Sequence, residues 1–305
     1  MSELGNNTKL LDYLHLHFII FIWGFTAILG ALISIEAIPL VWFRMGLASI
    51  LLFIFFIVTK RSLRISKKML WRYVLGGIII ALHWITFFQA IKSSNVSVGL
   101  ITMSTGAFFT SLIEPVFFKR KIKSSELLLG LLVIIGLYII FKVEGNYTLG
   151  IVYGLISSFL SALFSVSNGL YVQKNNPLTI SFYQLFFGVL FITVILGVQG
   201  GFSADFFALS STDWMYLFIL ASICTAYAFS ASVKVMKVLR PFTVMLSINL
   251  EPVYGILLAL WLFPEKETMP SNFYFGALIV LFSVILNGII KSRKSLMNRV
   301  QKKKF

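Results

Sequence analysis

The stretch LIEPVFF, residues 112–118, places a glutamate and a proline side by side within an apolar run. The stretch NLEPVYG, residues 249–255, repeats the same Glu-Pro-Val, so that Glu114 and Glu251 stand 137 positions apart. A carboxylate is unfavourable to bury in an apolar environment, and proline lacks the amide hydrogen that a helix interior needs. Two copies of so unfavourable a pair predict an internal duplication of the chain.

The composition is that of an integral membrane protein. The 305 residues are 58% hydrophobic and 12% charged, with a mean hydropathy of +0.92, whereas charged residues make up about a quarter of a soluble domain. The single cysteine, Cys224, lies within an apolar run, which excludes a disulfide scaffold and a cysteine metal site. Ten apolar runs are long enough to cross a hydrocarbon core of about 30 Å. They lie at about residues 16–34, 38–59, 71–91, 96–118, 125–141, 149–172, 178–198, 212–233, 241–263 and 272–290.

The formal net charge of +15 is distributed unevenly between alternate connections. If the N-terminus is cytoplasmic, the inner connections and the tail hold 22 Lys and Arg residues, and the outer connections hold only Lys92, Lys142 and Lys266. This bias follows the positive-inside rule and predicts ten spans with both termini in the cytoplasm. The basic clusters are therefore expected to meet anionic lipid headgroups rather than nucleic acid.

Two further landmarks recur in the same order as the Glu-Pro pairs. IPLVWFR at 38–44 corresponds to NPLTISFYQ at 176–184, with an offset of 138 between the prolines. WRYVL at 71–75 corresponds to WMYLF at 214–218, with an offset of 143 between the tryptophans. Three landmarks at nearly one period support a duplication of the whole membrane domain.

Each half of the duplication holds five predicted spans, so the two halves enter the membrane from opposite sides. The predicted fold is therefore an all-α membrane protein of ten helices built as an inverted 5+5 repeat, an architecture common among secondary transporters. The first repeat covers residues 14–142, the second covers 148–290, and a basic cytoplasmic tail occupies 291–305.

The chain resembles the EamA family of the drug/metabolite transporter superfamily. The resemblance covers residues 14–290 and is carried by the ten spans, the duplication, the paired Glu-Pro, FRMG at 43–46 and FFQAIK at 87–92. It implies a proton- or gradient-linked carrier, most often an exporter of amino acids, metabolites or toxic compounds, in the bacterial inner (plasma) membrane. The second half departs from the first, with Gln184 in place of Arg44 and no counterpart of His83.

The paired glutamates have two interpretations. Pro115 and Pro252 each free the carbonyl four residues earlier, so a local bend is predicted beside Glu114 and Glu251. A carboxylate beside a free carbonyl is a candidate for proton acceptance or gating. The alternative is a structural role, in which each glutamate holds bent helices in register.

Arg44 and His83 are the other ionisable residues deep in predicted spans, where charged groups usually face the bundle interior or a water-filled path. Arg44 is expected either to pair with Glu114 or to receive an acidic group of the substrate. His83 is expected either to titrate or to donate, as a neutral ring, to a neighbouring helix. Trp84 and Gln89 add an aromatic wall with a polar point, as ligand pockets use.

The sixth and seventh spans supply further candidates. Tyr183 and Gln184 are polar groups at membrane depth in the seventh span. Small residues recur every four positions on the sixth span, and such rows allow helices to approach closely. The row is Gly150, Gly154, Ser158 and Ala162. Close packing between the halves is predicted, and contact with a second copy in a homodimer is the alternative.

The expected function is transport of a small-molecule substrate by alternating access around a site between the halves. Motifs for direct ATP use, G-x-x-x-x-G-K-[ST], and for zinc proteolysis, H-E-x-x-H, are absent from the sequence. We therefore predict no enzyme activity, no cofactor and no metal site. The alternatives are an uncoupled facilitator on the same scaffold and a receptor or enzyme subunit that does not transport.

Overall fold

Every regular element in the described part of the chain is helical, and no strand occurs there. The computed structural model describes residues 2–119, 121, 124–143 and 147–302, so residues 303–305 of the predicted basic tail lie outside it. Within the described residues, eight helical segments are long and apolar enough to cross a membrane. These findings confirm the predicted class, an all-α protein that crosses the membrane several times.

The helices follow the predicted spans in chain order. The first half contains α1 (Ser2–Leu32), α2 (Ala37–Val58), α3 (Lys67–Lys92), α4 (Val96–Met103), α5 (Gly106–Phe117) and α6 (Ser124–Val143). The second half contains α7 (Thr148–Tyr171), α8 (Pro177–Val198), a 3-10 turn (Ala204–Phe207), α9 (Ser211–Ala221), a π-helical turn (Ser222–Tyr227), α10 (Ala228–Val235), α11 (Pro241–Ile248), α12 (Glu251–Leu262), α13 (Pro264–Glu267) and α14 (Ser271–Lys302).

Three of these eight segments consist of more than one helix, and they are numbered here by their places among the ten spans that the sequence predicts. The fourth span, Val96–Phe117, joins α4 and α5; the eighth, Ser211–Val235, joins α9, the π-helical turn and α10; the ninth, Pro241–Leu262, joins α11 and α12. The 20-residue helix α6 and the helix α14 lie at the positions of the predicted fifth and tenth spans.

Side-chain caps begin several of these helices. Ser66, Asn95, Asn176 and Ser210 each accept a hydrogen bond from a backbone amide in the first turn of α3, α4, α8 and α9. Such caps satisfy amide groups that have no acceptor within the helix. Between caps the chain stays helical because a hydrocarbon core provides no water for unpaired backbone groups.

The ninth span is interrupted at its Glu-Pro pair. α11 ends at Ile248, and α12 begins at Glu251 with Pro252 in its first turn. Proline is tolerated there because the first amides of a helix lack an intrahelical acceptor in any case. The interruption leaves Glu251 at the start of a helix in the middle of a span.

The fourth span is interrupted elsewhere. The sequence predicts the bend at Pro115, but α5 continues through Pro115 to its end. The interruption lies at residues 104–105, where the Ser104 and Thr105 hydroxyls donate to carbonyls three residues earlier at 2.6 and 2.7 Å. These hydroxyls bind carbonyl oxygens at a depth where water is scarce. The two Glu-Pro pairs are therefore not structurally equivalent.

The two halves pack against each other in a reciprocal pattern. α3 packs against α7 and α8, and the eighth span in turn packs against α1 and α2. Corresponding helices also pair with each other: α2 with α8, the fourth span with the ninth, and α6 with α14. This exchange of partners is expected of two repeats related by a twofold axis, and it places the main core at the boundary between the halves.

The row of small residues on α7 faces the first half of the same chain. Gly154 lies against Thr102 of α4, and the Ser158 hydroxyl lies 2.8 Å from that of Thr105. This is the geometry of close packing between the halves, one of the two roles that the sequence left open.

α3 and α8 approach until their backbones touch at Gly77. A Cβ atom on Gly77 would lie 2.6 Å from the carbonyl oxygen of Gln184 and 2.8 Å from the amide nitrogen of Gly188. Neither backbone atom can move without shifting α8, so the contact between α3 and α8 requires glycine at this position.

We expect Gly77→Ala to destabilise the protein by about 1–3 kcal/mol, because the added methyl group forces the two backbones apart. Gly197→Ala is the matched control, since a Cβ on Gly197 meets nothing within 4 Å. Thermal unfolding in detergent measures both. Equal midpoints for the two variants would contradict the proposed contact.

Candidate functional site

A cavity of about 80 Å³ lies between the two halves of the bundle. Its walls are mainly apolar and aromatic, with polar groups at a few points. The aromatic residues are Trp23, Trp84, Phe87, Phe164 and Phe229. The ionisable residues are Arg44 and His83 from the first half and Glu251 from the second. Both halves therefore build the site.

Arg44 is held at two points. Its side chain is 1% exposed, its Nε donates to Thr225 Oγ1 at 2.6 Å, and its Cζ lies 3.9 Å from the centre of the Trp84 ring. The terminal nitrogen Nη1 is buried and has no hydrogen-bond partner in the described part of the chain. A buried guanidinium nitrogen without an acceptor is suited to bind an oxyanion or water.

Glu251 lines the same cavity from the start of α12. Arg44 and Glu251 both line the cavity, and no hydrogen bond or direct ion pair joins them in the described part of the chain. The acidic residue that shares the cavity with Arg44 is therefore Glu251. Glu114, on α5, is buried and does not line the cavity, so its pairing with Arg44 stays a prediction.

His83 joins α3 to α7. Its Nδ1 lies 2.9 Å from the carbonyl oxygen of Ser157, and the Ser157 hydroxyl donates to the His83 carbonyl at 2.8 Å. A carbonyl oxygen only accepts, so Nδ1 is assigned the hydrogen. The geometry is that of a ring that donates to a neighbouring helix, the second of the two roles that the sequence left open.

The chain's relatives agree with this architecture. The model of the EamA-like transporter family matches residues 13–142 and 148–289. The chain belongs to the EamA-like transporter family. The predicted resemblance is thereby confirmed, and the family match covers the chain in two repeats.

One curated relative of this EamA-like protein is an uncharacterized transporter of Schizosaccharomyces pombe. The two are 24% identical over 237 residues, which cover 75% of this chain and 58% of the relative. The chain thus spans 58% of the relative's length. A solved crystal structure of another protein superposes with a TM-score of 0.63 at 13% identity, over 91% of this chain and 96% of that chain. At this identity the likeness concerns the fold alone.

Of the sequence-predicted residues, the EamA-like fold brings Arg44, His83, Trp84 and Glu251 together at the cavity. The others lie elsewhere. Tyr183 donates its hydroxyl to the carbonyl of Leu63 at 2.8 Å, and Gln89, half-buried near the end of α3, does not line the cavity.

Gln184 forms a reciprocal pair with Asn168. The Gln184 Nε2 donates to Asn168 Oδ1 at 2.8 Å, and the Asn168 Nδ2 donates to Gln184 Oε1 at 3.2 Å. Both side chains are fully buried, and each amide satisfies the other. In the position related to Arg44 by the repeat, the second half thus has a neutral pair that joins α7 to α8.

Two contributors to the site, Trp23 and Thr225, were not predicted from the sequence. Trp23 lines the cavity and donates its Nε1 to the carbonyl of Cys224 at 3.1 Å. Thr225, the acceptor of Arg44, follows in the π-helical turn. No sequence signal reveals a π-helical register, whereas the tryptophan in the middle of an apolar run was visible but indistinguishable from membrane-facing aromatics.

We expect the amide pair to be structural. Gln184→Met leaves the buried Asn168 amide without a partner and should destabilise the protein by about 1–3 kcal/mol. Adding Asn168→Leu removes the unpaired amide and should restore part of that loss. Thermal unfolding of both single variants and the double variant gives the coupling energy, and strictly additive losses would show that the pair does not act as a unit.

Proposed function

We propose that this EamA-like protein is a secondary transporter that exports a small zwitterionic metabolite, with amino acids as the first class to test. Transport proceeds by alternating access across the bacterial inner membrane and is driven by a proton or substrate gradient. The observation that carries the proposal is that a basic residue, Arg44, and an acidic residue, Glu251, line one cavity between the halves.

The charges of the cavity favour a ligand that carries both signs. A carboxylate suits the free guanidinium nitrogen of Arg44, and an ammonium group suits Glu251. A ligand with only a negative charge would be repelled by the Glu251 carboxylate, and a ligand with only a positive charge would be repelled by the Arg44 guanidinium. The aromatic walls, which include Phe164 and Phe229 with ring centres 5.4 Å apart, suit an apolar side chain.

Gradient coupling is supported by the surroundings of Glu251. Its carboxylate lines the cavity and has no hydrogen-bond partner among the described residues, so it is placed to exchange protons with cavity water. Ligand pockets usually measure roughly 300–1,000 Å³. The cavity of about 80 Å³ is smaller, which supports a partly closed state of the site.

Ten spans are supported by the way the connections meet at one face. The connection after the first span meets the start of the eighth, where Asp213 accepts from the Ser34 amide at 2.8 Å. The connection after the third span meets that after the ninth, where Asn95 donates to the Lys266 carbonyl at 3.1 Å. Connections that follow odd-numbered spans therefore gather on one side.

Connections after even-numbered spans meet at the opposite face. Tyr183, near the start of the seventh span, donates its hydroxyl to the carbonyl of Leu63, in the connection that follows the second span. Gln173, which follows the sixth span, donates to the carbonyl of Met236, which follows the eighth span, at 3.1 Å. This alternation supports α6 as a span that crosses the membrane, because without that crossing every later span would have the opposite orientation. With α14 as the tenth span, both termini lie at the basic, cytoplasmic face.

Hydrogen bonds join the two halves at the outer face, which supports a state closed to the outside. Asp213 and Glu267 belong to the second half, and their carboxylates accept hydrogen bonds from the first half. Glu267 receives the Val96 and Ser97 amides at 2.8 Å each. The cavity, by contrast, extends to Met236 at the inner end of the eighth span.

We expect purified protein in liposomes to exchange zwitterionic amino acids across the membrane. Arg44→Gln and Glu251→Gln should each lower the exchange rate by about tenfold or more, because each removes one charged contact to the ligand. Tyr183→Phe is the control, since its hydroxyl binds backbone away from the cavity. An imposed proton gradient separates coupled transport from facilitation. No exchange of any amino acid or metabolite in a broad panel would refute the proposal.

Closure of the outer face can be tested by crosslinking Ser34→Cys to Asp213→Cys, because the Ser34 hydroxyl and the Asp213 carboxylate are 2.7 Å apart. Oxidation should stop exchange, and a reducing agent should restore it. The control pairs Ser210→Cys with Asp213→Cys, since the Ser210 hydroxyl is also 2.7 Å from the carboxylate but lies in the same half. Full exchange by the crosslinked Ser34 variant would contradict a moving outer gate.

A further inference from the structure

We propose that Thr225 is a positioning residue that sets the affinity for the anionic group of the substrate by orienting Arg44. The inference rests on the proposed function, because it assumes that Arg44 receives that group. It concerns a residue in the π-helical turn of the eighth span, which contacts Arg44 directly and does not itself line the cavity.

The Thr225 hydroxyl has fixed donor and acceptor roles in its two hydrogen bonds. It is fully buried and donates to the carbonyl of Leu220, five residues earlier, at 2.7 Å. A threonine hydroxyl carries a single hydrogen, so toward Arg44 it acts only as an acceptor. The π-helical turn thus presents a hydrogen-bond acceptor to the other half of the protein at a depth where acceptors are scarce.

The contact with Thr225 orients the guanidinium of Arg44. Nε donates to the Thr225 hydroxyl at 2.6 Å, and one face of the group covers the Trp84 ring at 3.9 Å. Thr225 fixes one edge of the guanidinium and Trp84 fixes one of its faces, so the guanidinium plane cannot turn. The buried Nη1 is thereby left for a ligand. Without the hydroxyl, the guanidinium is free to rotate toward Glu251 and form an ion pair that competes with the substrate.

The same π-helical turn receives a second side chain from the first half. Trp23 donates its Nε1 to the carbonyl of Cys224, next to Thr225, at 3.1 Å. Trp23 and Arg44 both line the cavity, so two of its walls are anchored on adjacent residues of this turn. In a regular α-helix each residue advances by about 100°, so an α-helical register would move both acceptors away from their partners. Turns of this kind are frequent at functional sites.

The test uses substitutions that separate the hydroxyl from the packing of Thr225. Thr225→Val has nearly the same shape but no acceptor, and Thr225→Ser keeps the acceptor. Thr110→Val is the matched control, because Thr110 is also fully buried but its hydroxyl donates to Gly106 of its own helix at 2.8 Å. The concentration dependence of amino-acid exchange in liposomes gives the half-saturation concentration and the maximal rate for each protein.

Thr225→Val should raise the half-saturation concentration roughly ten- to a hundredfold while leaving the maximal rate within about twofold, as loss of a charge-assisted hydrogen bond predicts. Thr225→Ser and Thr110→Val should resemble the wild type. An unchanged half-saturation concentration in Thr225→Val overturns the proposal. A fall in the maximal rate alone, shared by Thr225→Ser, also overturns it, since it indicates a purely structural role.

A second measurement does not depend on transport. An arginine-specific dicarbonyl reagent modifies the terminal nitrogens of arginine, and mass spectrometry follows the peptide that contains Arg44. Modification should slow at least threefold in Thr225→Val, because the guanidinium turns toward Glu251, and should be unchanged in Thr225→Ser. Equal rates in all proteins refute the positioning role. Absence of exchange by the wild type, with the expected change in modification, refutes the proposed function but not the positioning of Arg44.

Discussion

The guanidinium of Arg44 is buried, so the surrounding helices must supply groups that replace its contacts with water. Burying a charge is strongly unfavourable unless other groups replace its hydration. Arg44 finds part of that replacement in the face of Trp84 and in the hydroxyl of Thr225. Trp84 belongs to the same half as Arg44, and Thr225 belongs to the opposite half. The contacts of this one charged group therefore join the two halves beside the cavity that lies between them.

Much of the fold could be predicted from the sequence, because a hydrocarbon core leaves the backbone few alternatives to helix. The apolar runs located the helices, and the period of the Glu-Pro-Val motif located the repeat. The interruptions within spans could not be predicted in the same way. Pro115 and Pro252 have nearly identical neighbours, yet only Pro252 begins a new helix, since the fourth span is broken instead at 104–105.

The site was only partly accessible to sequence reasoning. Ionisable residues in apolar runs are rare enough to be recognised, which is how Arg44, His83 and Glu251 were found. The same criterion also selected Glu114, because which face of a helix borders the cavity depends on how neighbouring helices pack. Thr225 escaped notice, since the π-helical turn that aims it at Arg44 has no signature in its local residues.

The contact between Glu267 and the start of α4 has a consequence for how this chain tolerates change during evolution. Glu267 binds the backbone amides of Val96 and Ser97, so the contact does not depend on the side chains at those two positions. Any residue except proline supplies the same donor. Mutations can therefore accumulate at Val96 and Ser97 without loss of this contact between the halves, whereas replacement of Glu267 removes both of its hydrogen bonds.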